Sequence, residues 1–212
     1  IDFGLRQPAQ ISATYQMNAL TSQMQLKLPD GEVTVHLQVP GVHNICNALA
    51  AAATTVALRI NKTQIATGLE SFTGVKGRIQ KKRGLHNTLL LDDTYNANPD
   101  SVSAALAVLA ASSGKKILVL GDMGELGDSA IRLHQKIGQD ARNAGLDRLL
   151  TLGKLSAYAA EEFGKGAQHF DSIDDLLNAA GSLLANDATF LIKGSRFMQM
   201  ERVVQHLEIP SA

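Results

Sequence analysis

Apolar and polar residues alternate in Met24-Gln25-Leu26-Lys27-Leu28 and again in Val33-Thr34-Val35-His36-Leu37. A period of two turns one side of each segment toward a core. The turn sequence Pro29-Asp30-Gly31-Glu32 lies between them, so the spacing predicts an antiparallel hairpin. After Pro40-Gly41 the alternation gives way to Asn44-Ile45-Cys46-Asn47-Ala48-Leu49-Ala50 and an alanine-rich run to Leu58. Its propensity and length predict a buried helix, with Cys46 as a small buried residue within it. A shorter helix is expected from Lys62 to Glu70. Gly74 and Gly77, in Thr73-Gly74-Val75-Lys76-Gly77-Arg78, mark a flexible stretch before the pattern changes, and the domain boundary is placed there, giving 1–77 and 78–212.

Beyond Arg78, short apolar runs alternate with helical segments. The runs are Thr88 to Leu91, Lys116 to Leu120, Arg148 to Leu152, a weaker Gln168 to Phe170, and Thr189 to Ile192. The intervening helices are expected at Pro99 to Ala111, Ser129 to Ala144, Leu155 to Phe163 and Ile173 to Leu184, with a last one from Phe197 to Leu207. Strands alternating with helices make βαβ units with right-handed crossovers. The fold class expected is therefore α/β, a Rossmann-like, mostly parallel sheet whose ligands lie beyond the carboxyl ends of its strands.

Composition narrows the function classes. The 20 Lys and Arg balance the 20 Asp and Glu, so no general basic field gathers nucleic acid or an anionic membrane. A single cysteine excludes an internal disulfide or a CxxC site. No apolar run approaches the roughly 20 residues that span a bilayer. A cytoplasmic location without membrane insertion is the expectation. The chain opens on Ile1-Asp2-Phe3-Gly4 with no initiator Met, as if cut from something longer.

The densest chemistry lies in DDTYNANPDS, residues 92–101, between an apolar run and a helix. Asn98 as N-cap and Pro99 at the first helical position account for the helix start. They leave Asp92, Asp93, Tyr95 and Asn96 unexplained, because adjacent carboxylates repel unless a ligand, cation or donor shares them. In Gly41-Val42-His43-Asn44-Ile45-Cys46-Asn47, the amides of Asn44 and Asn47 share one helix face. Either they present donor and acceptor to a base or ribose, or Asn44 caps the helix and Asn47 is merely satisfied. Lys193-Gly194-Ser195-Arg196 follows the last strand, and is either an anion site for a carboxylate or phosphate, or a solvated basic turn. Gly121-Asp122-Met123-Gly124-Glu125-Leu126-Gly127 is spaced GxxGxxG, not GxGxxG, and two acids would repel a pyrophosphate. It is read as a strand-to-helix turn. The histidines have no metal-ligand spacing, and no GxxxxGK[ST] loop occurs.

Gly41-x-His43-Asn44-x-x-Asn47-Ala48-Leu49-Ala50-Ala51, then Gly77-Arg78, then a strand ending in Asp93 resembles the second half of a Mur ligase. These are the ATP-dependent amide-forming enzymes of peptidoglycan precursor synthesis. With DDTYNANPDS, GDMGELG and KGSR, the chain is most similar to the member that adds D-alanyl-D-alanine to UDP-N-acetylmuramoyl-tripeptide. The resemblance implies that 1–77 is the α+β tail of a central ATPase domain and that 78–212 is the C-terminal Rossmann-like domain. It implies nucleotide contacts from His43, Asn44, Asn47, Arg78 and Asp93, with Arg78 reaching the nucleotide on closure and counted as catalytic. It gives Tyr95, Asn96, Asn98, Lys193, Ser195 and Arg196 to the incoming dipeptide. ATP and magnesium are the implied cofactors, with the metal's ligands mainly outside this chain, and a monomer is expected. The remaining alternatives are another Mur ligase, a folylpolyglutamate synthetase-like enzyme, or a non-catalytic Rossmann-like binding module. The Asp-Asn-Pro-Arg motif associated with the tripeptide-adding ligase is absent.

Overall fold

The computed structural model describes residues 1–18 and 21–209 and divides into two compact units, Ile1–Gly74 and Val75–Ala212. The division falls three residues before the expected boundary. In the first unit, β1 (Ser12–Met17), β2 (Ser22–Leu28) and β3 (Gly31–Leu37) form an antiparallel sheet in that order. The expected hairpin is β2–β3, with Lys27 opposite Glu32 and Leu28 opposite Gly31 across its turn. Strand β1 went unforeseen, because Ser12–Met17 carries no clean alternation. Met24, Leu26 and Leu28 point inward while Gln23, Gln25 and Lys27 face solvent. Helix α1 (Val42–Ala57) lays Ile45, Ala48, Leu49 and Ala52 into the same core, which α2 (Lys62–Ser71) joins through Ile65 and Ala66. Burying each large aliphatic side chain here contributes about 1.5–3 kcal/mol relative to exposure, so a charge at Leu26 would break the unit.

One expectation and one alternative fail in α1. Cys46 is exposed, not buried, since it lies at the edge of the apolar stripe formed by Ile45, Ala48, Leu49 and Ala52. Asn44 is not the cap, because the helix starts two residues earlier, with Gly41 as N-cap.

The second unit holds a six-stranded sheet in the order β4-β5-β9-β6-β7-β8. Its strands are β4 (Gln80–Arg83), β5 (Leu89–Asp93), β6 (Lys115–Gly121), β7 (Arg148–Leu152), β8 (Ala167–Phe170) and β9 (Ala188–Lys193). All pairings are parallel except β4 with β5. Helices α3 (Pro99–Ala110), α4 (Ala130–Asn143), α5 (Ser156–Phe163) and α6 (Ile173–Ser182) make the crossovers, and α7 (Glu201–Leu207) follows β9. Leu90, Ile117, Val119, Phe190 and Ile192 meet Leu176, Val203 and Val204 in one core cluster. Helices α4 and α5 approach so closely at Gly138 that a Cβ there would collide with the Ala159 carbonyl, so even alanine would force them apart.

Strand β4 was not foreseen, because Gln-Lys-Lys-Arg has no apolar side. It is an edge strand, where cations are tolerated and discourage further pairing. The expected helix from Phe197 to Leu207 is interrupted: a 3-10 turn at Arg196–Met198 ends at Gln199 in the left-handed region (φ 51°), and α7 starts afresh at Glu201.

The last strand, β9, inserts between β5 and β6, so the carboxyl ends of β5, β9 and β6 stand side by side. Such an end, where strand order departs from chain order, is where open α/β sheets hold ligands.

Candidate functional site at the carboxyl ends of the strands

At the end of β5 the two aspartates have separate partners. Asp92 Oδ1 accepts from the Thr94 hydroxyl at 2.7 Å and the Thr94 amide at 3.3 Å, and its Oδ2 lies 3.9 Å from Lys82 Nζ. Asp93 Oδ2 pairs with Lys193 Nζ at 2.7 Å, and its Oδ1 accepts from the Ile79 amide at 3.2 Å. The Lys193 and Asp93 side chains are 2% and 11% exposed. The repulsion expected between neighbouring carboxylates is thus relieved within the protein, by a cation buried on the adjacent strand together with backbone and hydroxyl donors.

Lys193 also donates to the Asn96 carbonyl at 2.7 Å. Beside it, the Ser195 hydroxyl donates to the Ala97 carbonyl at 3.2 Å and accepts from the Gly124 amide at 2.7 Å. The Ser195 amide donates to the Asp122 carbonyl at 3.0 Å. Together these bonds tie the loops after β5, β6 and β9 into one platform. Lys193 and Ser195 face inward, where sequence reasoning had them facing a substrate. Arg196 does face out: its side chain is 62% exposed and pairs with Glu201 at 2.9 Å. The second carboxylate oxygen of Glu201 is buried with no hydrogen-bond partner.

The far end of the loop matches expectation. Asn98 caps α3, accepting from the Ser101 amide at 2.8 Å while Ser101 Oγ accepts from the Asn98 amide at 3.0 Å, with Pro99 next in line. Asn96 accepts from the Ala97 amide through its own side chain at 2.9 Å. Tyr95 is half exposed, and the Arg78 guanidinium lies 4.4 Å from its ring centroid. On β4, burial lowers the Lys81 ammonium from its ordinary range.

The glycine loop after β6 is architectural. Asp122 Oδ1 accepts from the amides of Leu155 and Ser156 at 3.0 and 2.7 Å, capping α5 from a neighbouring loop. His134, fully buried, accepts from the Met123 amide at 2.9 Å. Sequence reasoning identified neither contact, since partners 11 to 34 residues apart leave no local pattern.

In the first unit, Asn44 donates to the Pro40 carbonyl at 2.7 Å and Asn47 donates to Asn44 Oδ1 at 3.3 Å. Both amides line an apolar groove of about 380 Å³ between α1 and α2, with Leu37, Ile65 and Phe72 among its walls. His43 lies beside them in the first turn of α1.

Among the described residues no group of three or more His, Cys, Asp or Glu is placed to hold a metal ion. No helix among them is long and apolar enough to cross a membrane.

Residues 77–196 match the family model for the Mur ligase, glutamate ligase domain, which is more than half of the chain. This chain belongs to the Mur ligase family. A relative from Escherichia coli K12, UDP-N-acetylmuramoyl-tripeptide--D-alanyl-D-alanine ligase, is 41% identical over 189 residues, 88% of this chain and 42% of the relative. A crystal structure of MurF from Acinetobacter baumannii superposes with a TM-score of 0.89 at 35% identity, over 96% of this chain and 46% of that one. MurF from Thermotoga maritima in complex with ADP shares the fold at a TM-score of 0.81 and 21% identity, over 96% of this chain and 47% of that one. The chain thus spans less than half the length of these Mur ligases.

Proposed function

We propose that this chain forms part of an ATP-dependent ligase that joins D-alanyl-D-alanine to UDP-N-acetylmuramoyl-tripeptide. The carrying observation is the 41% identity, over 88% of the chain, to an E. coli relative of that name. In the proposed reaction the tripeptide carboxylate attacks the γ-phosphorus of ATP, giving an acyl phosphate and ADP. The free amine of D-alanyl-D-alanine then adds to the acyl carbon, loses a proton, and phosphate departs as the amide forms.

The site supports a division of labour. Arg78 is exposed, planar and always charged, and suits phosphate oxygens. Asp93 is proposed as a ribose contact of the nucleotide, already oriented by Lys193 and Ile79. Arg196, projecting beyond the platform, is the group for the dipeptide carboxylate, with the exposed amides of Asn96 and Asn98 beside the same loop. Lys193 and Ser195 act by holding that loop and do not contact substrate. In the first unit, the apolar groove edged by Asn44 and Asn47, with His43 adjacent, has the chemistry to take a purine: apolar walls and two amides. We assign 1–77 to the ATPase domain's tail and 78–212 to the C-terminal domain, and place the ligase in the cytoplasm as a monomer.

The test is a ligation assay with a protein of the relatives' length that contains this chain. ADP release with ATP and UDP-N-acetylmuramoyl-tripeptide is followed while the amine is varied. The expected result is release that depends on D-alanyl-D-alanine. Equal stimulation by a single amino acid, or by glutamate with a folate acceptor, would move the chain to another ligase of the family. Release independent of any amine would remove the ligase reading.

A further inference from the structure

Arg78 is presented by a turn fixed on both sides. Its own amide donates to the Val75 carbonyl at 2.9 Å. Before it, Gly77 is left-handed (φ 72°), and its carbonyl accepts from the Tyr95 amide at 3.0 Å. A Cβ at Gly77 would lie 3.0 Å from that same amide nitrogen, so the two segments touch backbone to backbone. After it, Ile79 is buried at φ 49°, a region that a β-branched residue enters only when its surroundings compel it. The compelling contact is the bond from its amide to Asp93. Such local strain persists where the rest of the structure over-determines it, and here it aims one side chain.

That side chain lies over the ring of Tyr95, 4.4 Å from the centroid. Tyr95 is 51% exposed and so fills no core. Its face is already occupied by a cation, which leaves little of it for a dipeptide. We propose that Tyr95 is a positioning residue, whose ring fixes the direction of the Arg78 guanidinium before nucleotide binds. The proposal deepens the functional reading above and rests on Arg78 being the nucleotide's partner. A pre-aimed arginine loses less rotamer freedom when it meets phosphate, so its contact counts for more.

The experiment compares Tyr95→Ala, Tyr95→Phe, Arg78→Ala and the double alanine variant in the ligase of the relatives' length. Tyr95→Ala is expected to lower kcat/KM for ATP about two- to five-fold, the span of an exposed cation–π contact, with the D-alanyl-D-alanine KM unmoved. Tyr95→Phe restores most of that loss, since the ring remains. The double variant is no worse than Arg78→Ala, because the ring has nothing left to aim. Additive losses in the double variant overturn the proposal. So does a rise confined to the D-alanyl-D-alanine KM, which would make Tyr95 a substrate contact. Arg78→Ala with unchanged ATP kinetics overturns both the proposal and the nucleotide role of Arg78, whereas additive losses leave that role standing.

Discussion

The first turn of α1 and the loop that ends β5 are both crowded with polar side chains, but they are held over different distances. Asn44 and Asn47 make bonds three and four residues away, to each other and to Pro40. Lys193 reaches Asn96 across 97 residues, and Ser195 reaches Ala97 across 98. The first cluster keeps its shape as long as its helix does. The second exists only when three strands stand side by side, so its geometry and its stability rise and fall together. A polar residue in the first can be exchanged at low cost, while one in the second is a structural element of the sheet.

The largest contrast is expected at the buried pair. Lys193→Met removes the cation 2.7 Å from the Asp93 carboxylate and should cost about 3–5 kcal/mol, the range for breaking one side of a buried pair. Circular dichroism melts of the 212-residue chain measure it. Adding Asp93→Asn should cost less than the sum of the two single changes, since the charge left behind is gone. A cost below about 1 kcal/mol for Lys193→Met would mean that the pair is solvated and the platform is not built as described.

Next comes Arg196, which belongs to the same turn but faces outward. Arg196→Ala should raise the KM for D-alanyl-D-alanine roughly ten-fold, as loss of one charge-assisted contact to a carboxylate does. The melt should move little, because the Arg196 side of its pair with Glu201 is exposed to water and such a pair is worth no more than about 1 kcal/mol. Steady-state kinetics and a melt together decide whether the inward and outward residues of KGSR have separate jobs.

Gly77→Ala places a side chain at φ 72° against the Tyr95 amide, and should destabilise the second unit by about 1–2 kcal/mol. At the small end, Asn47→Ala on the exposed face of α1 should change stability by no more than about 0.5 kcal/mol. An Asn47 cost as large as that of Lys193 would erase the distinction between the two clusters.

The same difference in range explains what could be read from the sequence. The β2–β3 hairpin, the alternation of strands and helices, and the Asn98–Pro99 helix start were legible, because each is written in residues a few positions apart. The tertiary pairing of other residues was not legible. Lys193 and Ser195 could be read as an open anion site, since nothing local says that Asp93 waits on the neighbouring strand and Ala97 on the loop after it. Asp93 looked unsatisfied for the same reason, whereas Asp92 is held mainly by Thr94, two residues on. Strand β4 was missed because its only signature is a partner, β5, and Gln199 broke the last helix without a glycine or proline to announce it. Cys46 was placed in the core because an alanine-rich stretch does not reveal which face of the helix turns inward.

Arg78 joins the fold to the proposed chemistry, and its replacement by lysine is the sharpest probe. The ligase of the relatives' length carrying Arg78→Lys should fold with an unchanged melting temperature, because the guanidinium is exposed and lysine keeps the charge. Its kcat/KM for ATP should fall roughly ten- to a hundred-fold, the loss of a charge-assisted contact that needs a planar fork. Unchanged kinetics at unchanged stability would contradict this, and would leave the strained turn at Gly77–Ile79 with no chemistry to serve.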